Sequence, residues 1–169
     1  KELWQNAKVM EAFVKTMGKR IGPKSGTDKM FVIDGEPDAM AAQYGEYFNY
    51  FILQAYNSSG NSDLNSRFTA QATHFQQYLT PEQVANKLIV CENFENYAGK
   101  GGVSFRLDNG TTLPSLLGMA YWNPVYNGVT YRKGGVGTYH MEYEYTVSGQ
   151  TGNYPFLRKA IQIMNPSIQ

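Results

Sequence analysis

The chain has 169 residues, 42% of them hydrophobic, which is enough apolar surface for one domain with a sizeable core and argues against disorder. Fifteen basic and fourteen acidic residues leave a formal charge of +1 without a run of like charge, so we expect neither nucleic acid nor an anionic membrane as a partner. No stretch approaches the roughly 20 apolar residues of a membrane-spanning segment. A single cysteine, Cys91, rules out an intrachain disulfide and the multi-cysteine zinc sites.

The predicted elements alternate between helices and strands. Residues 3–17 carry apolar side chains at helical spacing and precede Gly18, which predicts an amphipathic helix. Residues 29–34 form a short apolar run that ends in Asp34, as a buried strand does. We then predict a helix at 38–47, a strand at 50–56, a loop at 57–65, a helix at 67–79, a turn at 80–82, a strand at 87–92, a helix at 113–118, a strand at 118–122, a loop-like aromatic tract with room for a hairpin at 125–153, and a helix at 154–164.

This alternation predicts the fold class. Apolar strands separated by helices indicate a parallel α/β sheet, because helices must cover the faces of such a sheet or surround a barrel. Four strands are too few to close an eight-stranded barrel, and the chain begins on a helix. We therefore expect one α/β domain, residues 1–169, that is the second half of a TIM (β/α)8 barrel. Polar and acidic residues follow each predicted strand, at the edge where such proteins build their sites.

The aromatic content points to a class of ligand. Phe, Trp and Tyr make up 14% of the chain, and thirteen of these residues are tyrosines. Sugars offer apolar C–H faces that stack on flat rings, and hydroxyls that pair with amides, phenols and carboxylates. The composition by itself also agrees with tyrosines that fill a half-exposed core, and by itself it favours that interpretation.

Three of the strand ends resemble those of a known family. The segment Gln54-Ala55-Tyr56 is similar to the Gln-x-Tyr at the end of barrel strand six in family 18 glycoside hydrolases, above all the bacterial endo-β-N-acetylglucosaminidases that trim N-linked glycans. Glu92 resembles the acid that ends strand seven, and Trp122 the tryptophan of strand eight. The resemblance implies that residues 29–34 are strand five and that the N-terminal half of the barrel is absent from the chain.

The family's general acid is not expected within these residues. The resemblance implies a signature Asp-x-x-Asp-x-Asp-x-Glu on strand four, before Lys1, with the last glutamate as the acid. Asp34-Gly35-Glu36 reproduces only its final part, because Val32 and Lys29 stand where two further aspartates are required. Asp34 and Glu36 are therefore minor catalytic candidates, expected to line the edge of the cleft or to cap a helix.

The resemblance also implies a mechanism and roles. Hydrolysis of β-1,4-linked N-acetylglucosamine would be substrate-assisted and retaining, which is an exception to the scheme with two enzyme carboxylates. Tyr56 would hold the acetamide carbonyl, and Gln54 would bond the acetamide or a sugar hydroxyl. Glu92 would accept from hydroxyls of the same ring or tune neighbouring groups, and Trp122 would stack on the pyranose ring. Asn57 and Asn123 are further binding candidates just past predicted strand ends. Each of these residues has a structural alternative: packing for the aromatic residues, and capping or turn formation for the asparagines.

Several expectations concern partners. The implied substrate is an oligosaccharide or a glycoprotein N-glycan, either its chitobiose core or a chitin-like chain, and the implied location is secreted, periplasmic or on a bacterial cell surface. His74 and His140 have no Cys, Asp or second His at ligand spacing, so we predict no metal and no other cofactor. Two alternatives are a noncatalytic glycan-binding or scaffold member of the same fold, and an independent α/β domain with another small ligand.

Overall fold

The computed structural model describes residues 6–146 and 153–166. Eight strands occur in the described part of the chain: β1 (Val32–Asp34), β2 (Tyr50–Gln54), β3 (Leu88–Asn93), β4 (Ser104–Arg106), β5 (Thr112–Pro114), β6 (Val125–Tyr126), β7 (Val129–Thr130) and β8 (Gly135–Tyr139). Four of these strands form the central sheet in the order β1-β2-β3-β8, and every neighbouring pair is parallel. The remaining strands form two antiparallel hairpins, β4 with β5 and β6 with β7. The predicted parallel α/β class is confirmed.

Six α-helices connect or flank these strands in the described residues: α1 (Ala7–Met17), α2 (Asn61–Phe75), α3 (Pro81–Lys87), α4 (Ser115–Tyr121), α5 (Glu142–Thr146) and α6 (Pro155–Met164). Local signals fix several of their starts. The Asn6 side chain accepts the N–H of Val9 at 3.2 Å, and Thr80 and Gln83 form a reciprocal capping box before α3. No helix among the described residues is both long enough and apolar enough to cross a membrane.

The main core lies between one face of the sheet and the helices. Phe51 of β2 stacks on Phe75 of α2, with ring centroids 5.3 Å apart. Leu53 and Val90 are in register on neighbouring strands, and both are fully buried. Since side chains alternate along a strand, the residues between them point to the opposite face. We call this second face the open face; from β1 to β8 it carries Val32, Asp34, Ile52, Gln54, Ile89, Cys91, Gly137 and Tyr139.

The fourth strand of the sheet is not the one that the sequence predicts. Residues 118–122, predicted as a strand, are the end of α4 and the residue after it. Leu116, Met119 and Ala120 are buried whereas Tyr121 is 52% exposed, which is a helical pattern. A short apolar run does not distinguish a buried helix from a strand. The contact of α4 with the β4–β5 hairpin decides between them here, because Gly118 lies directly against the ring of Phe105.

The actual fourth strand, β8, lies inside the tract predicted as loop. Its glycines are typical of a turn, yet Gly135 to Tyr139 pair with β3 along their whole length. The preceding Gly134 passes so close to the main chain that an added Cβ would lie 2.4 Å from the Asn86 carbonyl oxygen. The predicted hairpin does occur in this tract, as β6 and β7.

Other boundaries differ by a few residues. The predicted helix at 38–47 is two 3-10 helices, Pro37–Ala39 and Ala42–Tyr47. Helix α2 begins at Asn61, inside the predicted loop, and ends at Phe75. The strands predicted at 29–34, 50–56 and 87–92 are confirmed with shorter or shifted limits, as is the last helix. The predicted helix start at Leu3 lies outside the described residues.

Candidate functional site

The carboxyl ends of the parallel strands meet at one edge of the sheet. Asp34 ends β1, and Gln54 ends β2 in register with Cys91 of β3. Asn93 ends β3 in register with Tyr139 of β8. The structure therefore brings the predicted residues of the first two strands together, and it adds Tyr139 at the far side of the same edge.

Gln54 and Asp34 are joined directly. The Gln54 side-chain amide donates to Asp34 Oδ1 at 3.1 Å, and both residues are exposed. The carboxylate thereby fixes the orientation of the amide. An exposed, oriented amide is a group with which a sugar hydroxyl or an acetamide can pair, and the binding role of Gln54 stays a prediction.

Glu36 belongs to an ion-pair network beside this edge. Its Oε1 accepts from Arg67 Nη1 at 2.9 Å, and Arg67 Nε donates to Asp63 at 3.3 Å. Burial raises the pKa of Glu36, although the nearby Arg67 opposes the increase. Glu36 precedes the 3-10 helix Pro37–Ala39 without a side-chain capping bond. Its position agrees with a residue that lines the edge of a cleft.

Tyr56 lies in the turn that follows β2. The Ser58 N–H donates to the Ala55 carbonyl at 3.1 Å and closes this turn. The Tyr56 ring lies near that of Tyr139, with centroids 6.0 Å apart and planes inclined by 32°. Burial, followed by the effect of Cys91 and Asp34, raises the pKa of Tyr56 to about 12. The phenol therefore keeps its proton at physiological pH and is available as a hydrogen-bond donor.

Cys91 lies on the open face, in register with Gln54. It is 7% exposed, and burial raises the pKa of its thiol to about 12. A protonated, buried thiol is a poor nucleophile. Cys91 is thus not a reactive group.

Of the two roles predicted for Glu92, burial argues against direct contact with a sugar hydroxyl and leaves an action on neighbouring groups. Its side chain is 0% exposed, so it cannot receive a sugar hydroxyl from solvent. Its Oε1 accepts two main-chain N–H groups, from Asn93 at 2.7 Å and from Asn57 at 3.2 Å. Asn57 itself is exposed and has a φ of 60°. Glu92 holds the main chain of two strand ends, while Asn57 remains a binding candidate.

Trp122 is a core residue and not a sugar platform. It follows helix α4 and is only 2% exposed. Its indole N–H donates to Asn65 Oδ1 at 2.9 Å, and its ring belongs to the main hydrophobic core. A ring enclosed on both sides offers no face to a pyranose. The prediction that Trp122 forms the floor of a sugar subsite is therefore wrong.

Asn123 is not brought to the strand-end site. It lines a separate surface cavity with Thr130, Tyr131 and Lys133. Lys133 lies two residues before β8, whereas Tyr139 ends that strand. Asn123 therefore lies near the start of β8, and the candidate site lies at its end. The prediction was wrong because it placed Asn123 after a strand at 118–122, which is helical.

Tyr139 is the residue that the sequence analysis missed. It is 47% exposed and lies on the same edge as Gln54. His140 follows it with a φ of 60°, and the rings of His140 and Tyr143 stack at 4.9 Å. The only sequence signal was the alternation of small and large residues in Gly135 to Tyr139, which the glycines obscured.

No group of three or more His, Cys, Asp or Glu side chains suited to a metal ion occurs in residues 6–146 and 153–166. The expectation of a site without metal or cofactor stays a prediction.

A parallel α/β sheet with amide, phenol and carboxylate groups at its carboxyl edge is the kind of site that α/β barrel enzymes build. The family model described as "Glycoside hydrolase family 18, BT1044-like" matches residues 1–163. The chain belongs to glycoside hydrolase family 18 and is an endo-β-N-acetylglucosaminidase-like domain, which confirms the family resemblance.

Individual relatives agree with this assignment. The chain is 29% identical over 164 residues to "Endo-beta-N-acetylglucosaminidase F2" of Elizabethkingia meningoseptica. This alignment covers 92% of the chain and 45% of that protein. A solved structure of BT1044, a selenomethionine variant, is 26% identical with a TM-score of 0.72, over 94% of the chain and 45% of that protein. The chain thus spans less than half the length of these two relatives.

A more distant structure agrees in fold. The endo-β-N-acetylglucosaminidase from Cordyceps militaris, without ligand, is 22% identical with a TM-score of 0.66, over 95% of the chain and 53% of that protein. A mutant of that enzyme, in complex with fucosyl-N-acetylglucosamine-Asn, has a TM-score of 0.64 at 23% identity, over 90% of the chain and 49% of that protein.

Proposed function

We propose that this chain is the second half, strands five to eight, of a (β/α)8 barrel that hydrolyses β-1,4-linked N-acetylglucosamine with retention. The observation that carries the proposal is the convergence of Gln54, Tyr56 and Asp34 at the carboxyl edge of a parallel sheet, in a chain that belongs to family 18. The general acid would come from the upstream half. The term full-length protein below means this chain together with that upstream sequence.

The sheet itself supports the half-barrel. Within the described residues, β1 pairs only with β2 and β8 only with β3, so the outer edges of both strands are unpaired. Val32 is 38% exposed, and Ile52 and Ile89 are half-buried on the open face. Apolar side chains on such a face are expected to be covered in the mature fold. Four further strands that pair with β1 and β8 would close the barrel and cover them.

Tyr56 is the residue of this chain that acts on the reacting group in the proposal. With a pKa raised to about 12, its phenol donates a hydrogen bond to the acetamide carbonyl of the sugar and directs the acetamide oxygen at the anomeric carbon. That oxygen displaces the leaving oxygen, which takes a proton from the upstream glutamic acid. Water then opens the resulting oxazolinium ion with retention. Gln54 bonds the acetamide or a sugar hydroxyl and is itself oriented by Asp34.

The proposed substrate is the chitobiose core of an N-glycan, or a chitin-like chain. Support comes from relatives named endo-β-N-acetylglucosaminidases. Further support comes from Tyr139 at the strand edge, whose exposed ring suits the apolar face of a pyranose. A secreted, periplasmic or cell-surface location is part of this proposal, because glycoprotein substrates are found there. Detection of the protein only in the cytoplasmic fraction would contradict it.

The test is release of glycans from a glycoprotein by the full-length protein, followed by mass spectrometry of the products. Tyr56→Phe should lower kcat by about 100-fold, the usual cost of removing one donor to a developing charge. Tyr121→Phe is the matched control, since Tyr121 is an exposed tyrosine on α4, remote from the strand ends. A parent protein that binds oligosaccharide but releases none would favour the noncatalytic glycan-binding alternative.

A further inference from the structure

The Glu92 carboxylate is enclosed by main chain. Gly102 has a φ of +105°, and a Cβ added there would lie 1.9 Å from Ser115 Oγ, 3.1 Å from Glu92 Cγ and 3.3 Å from Glu92 Oε2. The backbone of Gly102 therefore packs against the side chain of Glu92. Water is kept away from the carboxylate, which strengthens the hydrogen bonds that it accepts.

One oxygen of this carboxylate connects two strand ends. Glu92 Oε1 accepts from the Asn93 N–H at 2.7 Å, at the end of β3, and from the Asn57 N–H at 3.2 Å, in the turn after β2. Neither N–H has another hydrogen-bond partner among the described side chains.

The bond to Asn57 acts on the peptide that carries Tyr56. The turn runs from Ala55 to Ser58, and its third residue, Asn57, has a φ of 60° while Tyr56 has a negative φ. This combination is typical of a type II turn. Types I and II differ mainly in the orientation of the central peptide, which is here the peptide between Tyr56 and Asn57. An acceptor on one side of that peptide favours one of the two orientations.

We infer that Glu92 is a positioning residue for the proposed reaction: it selects the turn conformation in which Tyr56 faces the site, by accepting the Asn57 N–H. The catalytic consequence rests on the proposed function, whereas the hydrogen bond itself does not. Glu92 acts on the substrate only through Tyr56. A side chain that binds a sugar directly must be exposed to solvent in the free protein, and Glu92 is 0% exposed.

Two variants separate the shape of the Glu92 side chain from its charge. Glu92→Gln keeps the length and an acceptor oxygen but loses the charge. Glu92→Asp keeps a carboxyl group but is one methylene shorter, so we expect it to lose the longer of the two bonds, the one from the Asn57 N–H. Glu95→Gln, in the exposed loop after β3, is the matched control. All are made in the full-length protein, and the folded fraction is measured by urea unfolding.

The first readout is amide hydrogen exchange of the segment 55–58, which needs no activity. Glu92→Asp should exchange about tenfold faster or more at Asn57, because the N–H loses its acceptor, while Glu92→Gln stays close to the parent. Unchanged exchange in Glu92→Asp overturns the inference, whatever the activity.

The second readout is the separation of kcat from KM in glycan release. Glu92→Asp should lower kcat by about 100-fold with KM little changed, since a misplacement of about 1 Å has that effect. Glu92→Gln should stay within about threefold of the parent, because its amide oxygen still accepts. A larger loss in Glu92→Gln than in Glu92→Asp means that the charge itself acts and overturns the inference. So does a rise in KM at unchanged kcat, or an unchanged kcat in the folded fraction of both variants.

The proposed function and the role of Glu92 in fixing the turn can be contradicted independently. A full-length parent that releases no glycan contradicts the proposed function and removes the catalytic role of Glu92. Exchange at Asn57 still decides in that case whether the carboxylate fixes the turn.

Discussion

The two edges of the central sheet both use a buried ionisable side chain to fix main chain, but the groups beside the two side chains differ. At the carboxyl edge, Glu92 accepts the N–H groups of Asn57 and Asn93. At the amino edge, Lys133 donates to the carbonyls of Ala120, at 2.8 Å, and of Trp122. Exposed polar side chains stand beside the first anchor, whereas the second closes the end of a helix. In α/β barrels, residues at the carboxyl edge generally carry out the chemistry, and residues at the amino edge generally contribute to stability.

The two edges also differ in the direction in which burial shifts the pKa of a side chain. Burial lowers the pKa of Lys133 to about 8 and raises the pKa of Tyr56 to about 12. The amino edge therefore carries a group that loses its charge near physiological pH. The carboxyl edge carries a phenol that keeps its proton over the whole range in which an enzyme works. Stability and site chemistry should thus respond to different pH windows.

The largest expected effect is on stability, at Trp122. Trp122→Ala should lower the free energy of unfolding of the full-length protein by about 3–5 kcal/mol, the usual cost of removing a large buried ring. Urea unfolding measures it, and Trp122→Phe, which keeps a smaller ring and loses the bond to Asn65, should cost less than Trp122→Ala. Weakened sugar binding at unchanged stability would instead make Trp122 a ligand platform.

The second effect concerns Lys133 and alkaline pH. The unfolded lysine holds its proton up to its ordinary pKa of 10.5, whereas the folded one releases it near pH 8. Between these values the unfolded state binds more protons, so this group makes stability rise with pH, by up to about 3 kcal/mol. Lys133→Met should remove that rise. Parallel pH profiles of unfolding for the parent and for Lys133→Met would contradict the prediction.

A smaller effect is expected at Tyr139, on binding. If its 47% exposed ring stacks on a sugar, Tyr139→Ala should weaken the affinity of the full-length protein for a β-1,4-linked N-acetylglucosamine disaccharide by about 1 kcal/mol, the worth of one aromatic contact. Titration calorimetry measures the change. An unaltered Kd would remove Tyr139 from the site.

The smallest effect is expected at Tyr121, which is 52% exposed on α4. Tyr121→Ala should change the free energy of unfolding by less than about 0.5 kcal/mol, as most surface substitutions do, and leave disaccharide affinity unchanged. A loss of affinity equal to that of Tyr139→Ala would show that the two edges are not functionally distinct.

The sequence by itself determined the parallel α/β class, three of the four strands of the sheet, and the positions of Asp34, Gln54 and Tyr56. These conclusions rest on local information: each strand is an apolar run that stops in polar residues, and parallel strands must end at one edge. The Gln-x-Tyr motif lies within one strand end and needs no distant contact to be recognised.

Only the tertiary structure decided which segment is the fourth strand, and with it the roles of Trp122, Tyr139 and Glu92. Residues 116–122 and 135–139 are ambiguous locally, because a short apolar run suits a helix and a glycine-rich run suits a loop. The contact of Gly118 with Phe105 made the first a helix, and pairing with β3 made the second a strand. Glu92 looked like a ligand-binding acid in the sequence, and only the main chain of Gly102 above it and the N–H of Asn57 beside it made it an internal anchor.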